Sequence, residues 1–248
     1  MKNSSILSRK ALKYLQILTS VVHPSGYFIY PKKYYAYHKI SFSQEGEDLI
    51  LDRIFYSQKN GFYVDVGAHH PQRFSNTYYF YLKGWHGINI DAMPGSMELF
   101  KKIRPRDINI EIPIFSKSQV LTYYQFNEPA LNGFSEEIST QRNKHEKYKI
   151  ISTKKLKTER LSVVLEKNIL NESQVIDFMN IDVEGLDYEV LKSNDWNRFR
   201  PKVLLVEDLS SQNIRQFENS KVYNFLFKED YKIYANLAKT SIFLDSRT

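Results

Sequence analysis

Five carboxylates close short apolar runs in this chain. Asp65 and Asp91 do so in its first half, and Asp182, Glu207 and Asp208 in its second. In an open α/β sheet ligands sit outside the carboxyl ends of the strands, so acids at these positions gather along one functional edge. The first two belong to GFYVDVGAHHPQRFSNTYYFYLKGWHGINIDAMP, which reads as strand, tight turn, helix and strand. Asp65, Gly67 and Ala68 form the turn, whose small residues let a ligand approach the backbone. Asp91 lies 24 residues beyond Gly67, near the ~20 expected of an acid that binds the ribose hydroxyls of a nucleotide. A dinucleotide site needs the GxGxxG pattern that seats a pyrophosphate on a helix N-terminus. Here Gly67 is followed by His69, His70 and Pro71. An acidic turn with one glycine suits a cationic sulfonium, which points to S-adenosylmethionine.

The elements that must position these acids alternate from Phe42 onward, which predicts an α/β fold with a doubly wound, mostly parallel sheet. Helices are expected at Glu47–Phe55, Asn76–Leu82, Gly95–Ile103, Leu161–Lys167 and Leu186–Leu191. Strands are expected at Phe62–Val66, Ile88–Asp91, Ile108–Ile114, Val175–Ile181 and Lys202–Val206. Ser75, with Asn76 and Thr77 beside it, stands where a helix cap belongs. Val120–Phe126 and Tyr148–Leu156 have β character, and between them Asn127–Lys149 is a polar insertion long enough to serve as a lid or binding segment. Tyr231–Tyr234 and Ser241–Leu244 predict a terminal antiparallel hairpin.

With 248 residues, 42% of them hydrophobic, the chain suffices for one α/β domain, taken as residues 41–248, behind an N-terminal extension at residues 1–40. The absence of cysteine excludes disulfides, thiolate zinc sites and a thiol nucleophile, and fits a cytoplasmic setting. No uninterrupted apolar run reaches bilayer-spanning length. Residues 1–22 interleave Leu and Ile with Arg9, Lys10 and Lys13 as a basic amphipathic helix would, which leaves open peripheral membrane contact, partner docking or a helix that packs on the domain. The aromatic run that follows fits a substrate platform or a homo-oligomer interface. A formal charge of +7 suits an anionic partner, yet no compact arginine and lysine motif supports nucleic acid, which is not expected as a partner.

SQEGEDLILDRIF, FYVDVGAHHPQRFSNTYYF, INIDAMP, IDFMNIDVEGLDYEVLKSNDW and KVLLVED together resemble the FkbM family of S-adenosylmethionine-dependent methyltransferases, in the family's motif order from about Ser43 to Asp208. The resemblance implies a seven-stranded, Rossmann-like class I methyltransferase sheet and O-methylation, often of sugar hydroxyls in bacterial glycans. It implies that Asp65, Gly67 and Ala68 form the first cofactor loop, lined from the helix by Ser75, Asn76 and Thr77. Asp91 becomes the ribose acid, and Gln44 and Glu47 lie over the methionine moiety. His69, His70 and Pro71 depart from the commoner family version, in which Asn and a later Gly follow the Gly-Ala pair.

Methyl transfer from a sulfonium is an in-line displacement, so the protein must align the acceptor oxygen and take its proton. Two routes are open to the acids. In one, Asp182 with Glu207 and Asp208 holds Mg2+, an arrangement that resembles metal-dependent small-molecule O-methyltransferases. In the other, Asp182, Glu184 or a histidine is the general base, His145 in the insertion being the best-placed histidine. The expected acceptor is a sugar hydroxyl of a glycan, nucleotide sugar or surface polysaccharide precursor. The alternatives are nucleic-acid methylation and a catalytically silent scaffold for membrane or glycan assembly.

Overall fold

The computed structural model describes residues 39–171, 173–209, 211 and 213–247. The expected extension, with its amphipathic helix at residues 1–22, lies outside these but for residues 39 and 40. Ser41–Thr248 forms one compact unit. Its strands are β1 (Phe62–Val66), β2 (His86–Asp91), β3 (Ile108–Glu111), β4 (Val120–Phe126), β5 (Ile150–Lys157), β6 (Phe178–Ile181), β7 (Val203–Glu207), β8 (Tyr231–Asn236) and β9 (Thr240–Asp245). Seven form one sheet in the order β3-β2-β1-β6-β7-β9-β8. The pairs from β3 across to β7 are parallel, and β9 enters antiparallel between β7 and β8. This is the doubly wound, mostly parallel sheet with the terminal hairpin that the sequence predicts. The strand order reverses between β1 and β6, and that crevice is where such sheets bind ligands.

Alternation within the strands creates two cores, because successive side chains point to opposite faces. Val64, Val66, Ile88, Ile90, Met179, Ile181, Leu204 and Val206 face one layer, packed by helix α5 (Leu161–Asn168), helix α6 (Asp187–Ser193) and helix α8 (Lys221–Lys228). Tyr63, Phe178, Val203 and Leu205 face the other, covered by helix α1 (Glu47–Ile54), helix α2 (Tyr78–Leu82) and Trp85. Helix α3 (Ser96–Ile103) closes a smaller cluster with Ala68. Helix α7 (Ile214–Phe217) and α8 fill a stretch for which the sequence suggested no element. Ser220 caps α8 by accepting from the Tyr223 amide, and Val222 and Leu226 bury its apolar side.

The insertion is built rather than loose. β4 and β5 pair antiparallel as a separate two-stranded sheet. Between them come a 3-10 turn at Pro129–Leu131 and helix α4 (Glu136–Asn143), capped by Ser135. Arg142 on α4 donates to the Leu131 carbonyl and to Glu184 in the turn after β6, which ties the insertion to the main sheet. Among the described residues no helix is long and apolar enough to cross a membrane.

Candidate active site

The turn after β1 is shaped by the turn after β6. Gly67 takes φ +83°, and a Cβ there would lie 1.7 Å from the Asp182 carbonyl oxygen. The glycine therefore serves backbone against backbone, where ligand approach was the expectation. The adjacent cleft, partly open to solvent, is walled by Asp65, Gly67, Ala68, His69, Asp91 and Asp182. Gln44 lines it from the segment before α1, and Met93, Ile112, Pro113 and Ile114 add an apolar slot beside Asp91.

Asp91 is held ready to receive hydroxyls. One carboxylate oxygen accepts from the His69 amide at 2.8 Å, the other from the Met93 amide at 2.7 Å. Its two oxygens can accept more bonds than these two amides supply. Burial raises its pKa, and the two amides oppose that shift. Asp65 differs: its oxygens accept from Thr77 Oγ1 at 2.6 Å and Asn180 Nδ2 at 2.9 Å. Its position in the wall thus serves mainly to fix the turn. Burial raises its pKa against the pull of Thr77 and Arg104.

Ser75 and Thr77 do not line the cleft as expected. Both hydroxyls turn inward, where the fully buried Arg104 reaches Ser75 Oγ, Thr77 Oγ1, the Tyr63 hydroxyl and Asp107. No sequence signal marked Arg104, whose partners come from β1, the segment before α2 and the turn after α3. Asn76 lies instead in a recess of about 280 Å3 beside the cleft, together with Gln44, Glu47, Asp182, Glu207 and Lys239. Glu47 is buried there and accepts from the Glu45 amide.

The second-half acids converge with one exchange of members. Asp182, Glu184 and Glu207 bring carboxylate oxygens within 4.8 Å of one another. The Asp182 and Glu207 carboxyls face each other; burial, then the charge of Glu184, pushes Asp182 up to about 7, and burial with the neighbouring acids pushes Glu207 higher still. Asp208, expected as a ligand beside Glu207, does not join them. Strand alternation turns it to the opposite side, where it accepts from Ser211 and borders a separate pocket with Phe217. Glu184 takes the place through its left-handed backbone, φ 58°, ahead of Gly185 at φ +97°.

His145 is also corrected. It is exposed in the turn after α4, accepts from the Lys147 amide and stacks on Tyr148, outside the lining of the cleft and the recess. β4 and the insertion deliver other groups: Tyr123, Pro129, Asn132, Gly133 and Phe134 line the cleft, with the Tyr123 and Phe134 rings 4.8 Å apart. Residues 65–233 match the methyltransferase FkbM domain. The chain belongs to the FkbM methyltransferase family.

No curated relative matches this FkbM methyltransferase. Among solved structures it is similar to a TehB-like SAM-dependent methyltransferase from Corynebacterium glutamicum, with 9% identity, a TM-score of 0.41 and coverage of 98% of this chain and 100% of that one. It is also similar to a Pyrococcus horikoshii protein assigned as an RNA methyltransferase, with 11% identity, a TM-score of 0.41 and coverage of 83% and 88%. S-adenosylmethionine is the cofactor the FkbM family implies, and the cleft fits it. Asp91 offers ribose its remaining acceptor capacity, the apolar slot suits adenine, and His69 Nε2 is buried without a partner in the same wall.

Proposed function

We propose that this FkbM methyltransferase transfers the methyl group of S-adenosylmethionine to a hydroxyl of a sugar, in a glycan, a nucleotide sugar or a surface polysaccharide precursor. The observation that carries the proposal is the placement of Asp182, which lines both the cofactor cleft and the acidic recess beside it. When bound, the cofactor supplies an electrophilic methyl group on a sulfonium. Asp91 and the Ile112–Ile114 slot hold its adenosine, while Gln44 and Glu47 face the methionine end. The acceptor oxygen forms the new C–O bond as the S–CH3 bond breaks, and the hydroxyl proton passes to Asp182. Burial near other acids raises this carboxyl to about 7, into the range where a general base is effective at neutral pH. Tyr123 on β4, Phe134 from the insertion and Phe74 line the cleft, and aromatic side chains of this kind suit the face of a sugar ring.

The test is transfer of label from methyl-labelled S-adenosylmethionine to a panel of glycosides, nucleotide sugars and RNA. Label in the sugars that survives alkali identifies an ether and supports the proposal; label only in RNA, or only as an alkali-labile ester, refutes it. Asp182→Asn is expected to cut turnover at least ~100-fold, within the usual range for a proton-transfer residue, with S-adenosylhomocysteine binding retained. His145→Ala is expected to match the unaltered protein.

A further inference from the structure

The recess beside the cleft is built for a positive guest. Glu45, Glu47, Asp182 and Glu207 line it against one lysine, Lys239. At its junction with the cleft the oxygens of Asp182, Glu184 and Glu207 span at most 4.8 Å. The oxygens about an octahedral ion of the Mg2+ class span up to ~4.2 Å, so the three carboxylates close on one ion with small side-chain rotations.

Two buried acceptors lack partners there. Glu207 is 3% exposed, and its Oε2 is unpaired. Asn76, which is not part of the acidic group, is 7% exposed, and its Oδ1 is unpaired as well. The Asn76 amide is oriented by a relay that starts at a group with acceptors only. Asp65 Oδ1 accepts from Asn180 Nδ2, so Asn180 turns its oxygen to Asn76, which donates through Nδ2 at 2.9 Å. Asn76 is left with its carbonyl oxygen in the recess wall. A buried acceptor without a donor is costly, and Asn76 lines the same recess as Asp182 and Glu207.

Charge points the same way. Asp182, Glu184, Asp187 and Glu207 act on one another electrostatically, and the cations facing them are Arg142 and Lys239. Arg142 engages Glu184 through Oε2 alone, so Oε1 is open. Two negative charges remain when all four acids are ionised.

We propose that Asp182, Glu184 and Glu207 bind a hard divalent cation of the Mg2+ or Mn2+ class at this junction, with Asn76 in the wall of the adjoining recess. An all-oxygen donor set without cysteine or histidine selects that class. The cation deepens the proposed reaction, and its catalytic use rests on that reading: with it bound, Asp182 is a ligand rather than the proton acceptor, and the acceptor hydroxyl, oriented and with its pKa lowered by the cation, loses its proton to solvent. The metal itself is tested without an acceptor.

The full chain is titrated calorimetrically with MnCl2 alone, and separately with S-adenosylhomocysteine. One saturable Mn2+ site is expected, weakened at least ~10-fold in Glu184→Gln or Glu207→Gln, each checked for folding by circular dichroism. Asp208→Asn is expected to leave it unchanged. No saturable Mn2+ binding by a folded protein overturns the site, as does binding indifferent to both glutamine variants or lost in Asp208→Asn. Should S-adenosylhomocysteine bind while Mn2+ does not, the cation fails and the methyltransferase reading stands. If neither binds, both fall.

Discussion

Gly67→Ala and Gly84→Ala make a matched pair in which only one new methyl group meets an obstacle. Both glycines hold positive φ, +83° and +98°, so both variants carry the strain of an L-residue in left-handed backbone, about 1–2 kcal/mol, offset by ~0.4–1 kcal/mol from a stiffer unfolded chain. At Gly84 nothing lies within 4 Å of the added Cβ. At Gly67 the Asp182 carbonyl oxygen stands 1.7 Å away, although real Cβ contacts essentially never fall below 3.0 Å. Relief requires the turns after β1 and β6 to part, and both are pinned. The Gly67 amide donates to the Ile90 carbonyl and the Asp182 amide to the Val66 carbonyl, each at 2.9 Å. Overpacking of this kind costs ~1–3 kcal/mol or more.

The net expectation is a loss of about 1 kcal/mol for Gly84→Ala and about 3 kcal/mol for Gly67→Ala. For a domain this size that corresponds to shifts of ~2–4 °C and ~6–12 °C in the midpoint of thermal unfolding. Differential scanning fluorimetry reads both, and titration with S-adenosylhomocysteine reads the site. Gly67→Ala should also weaken the ligand, because moving Asp182 moves the cleft wall. Equal midpoints for the two variants, or full affinity in Gly67→Ala, would refute the backbone contact as the reason for this glycine.

Removing the Asp91 carboxylate in Asp91→Ala takes away the ribose acceptor and leaves the His69 and Met93 amides without their partner. A loss of ~10–100-fold in S-adenosylhomocysteine affinity is expected by calorimetry, equivalent to ~1.4–2.7 kcal/mol, and unchanged affinity would show that the ribose lies elsewhere. His69 makes a pH-dependent contribution, since burial lowers its imidazole from 6.5 to about 4. Its folded pKa is the lower one, so the unfolded chain binds the proton first, and stability present above pH 6.5 is lost as pH falls toward 4, by at most ~3 kcal/mol. His69→Asn, which tolerates the φ of 52° at this position, should flatten that part of a urea-unfolding profile against pH. Identical slopes would contradict the burial effect.

Much of the fold was legible because it is local. β1 falls where its apolar run predicts, and the elements from α1 to α3 differ from expectation mainly at their ends, the least certain feature of any helix or strand. The helices after Asp208 escaped notice: α7 is a single short turn, and α8 shows its apolar side only once Val222 and Leu226 meet the sheet. For the site, Asp65, Gly67, Ala68, Asp91 and Asp182 are drawn to one cleft, as their places at the strand ends suggested. Ser75 and Thr77 went to Arg104, and Asp208 turned away while Glu184 turned in.

The amino-acid sequence by itself determined the alternating elements, the acidic strand ends and the family, because hydrophobic period and residue type act over a few neighbours. Only the tertiary structure decided which acids meet. It placed Tyr123 and Phe134 over the cofactor cleft, set the carbonyl of Asp182 against Gly67, and sank Arg104 among partners drawn from three parts of the chain. Those contacts join residues tens of positions apart. They depend on strand register and on a left-handed turn at Glu184, which no local pattern encodes.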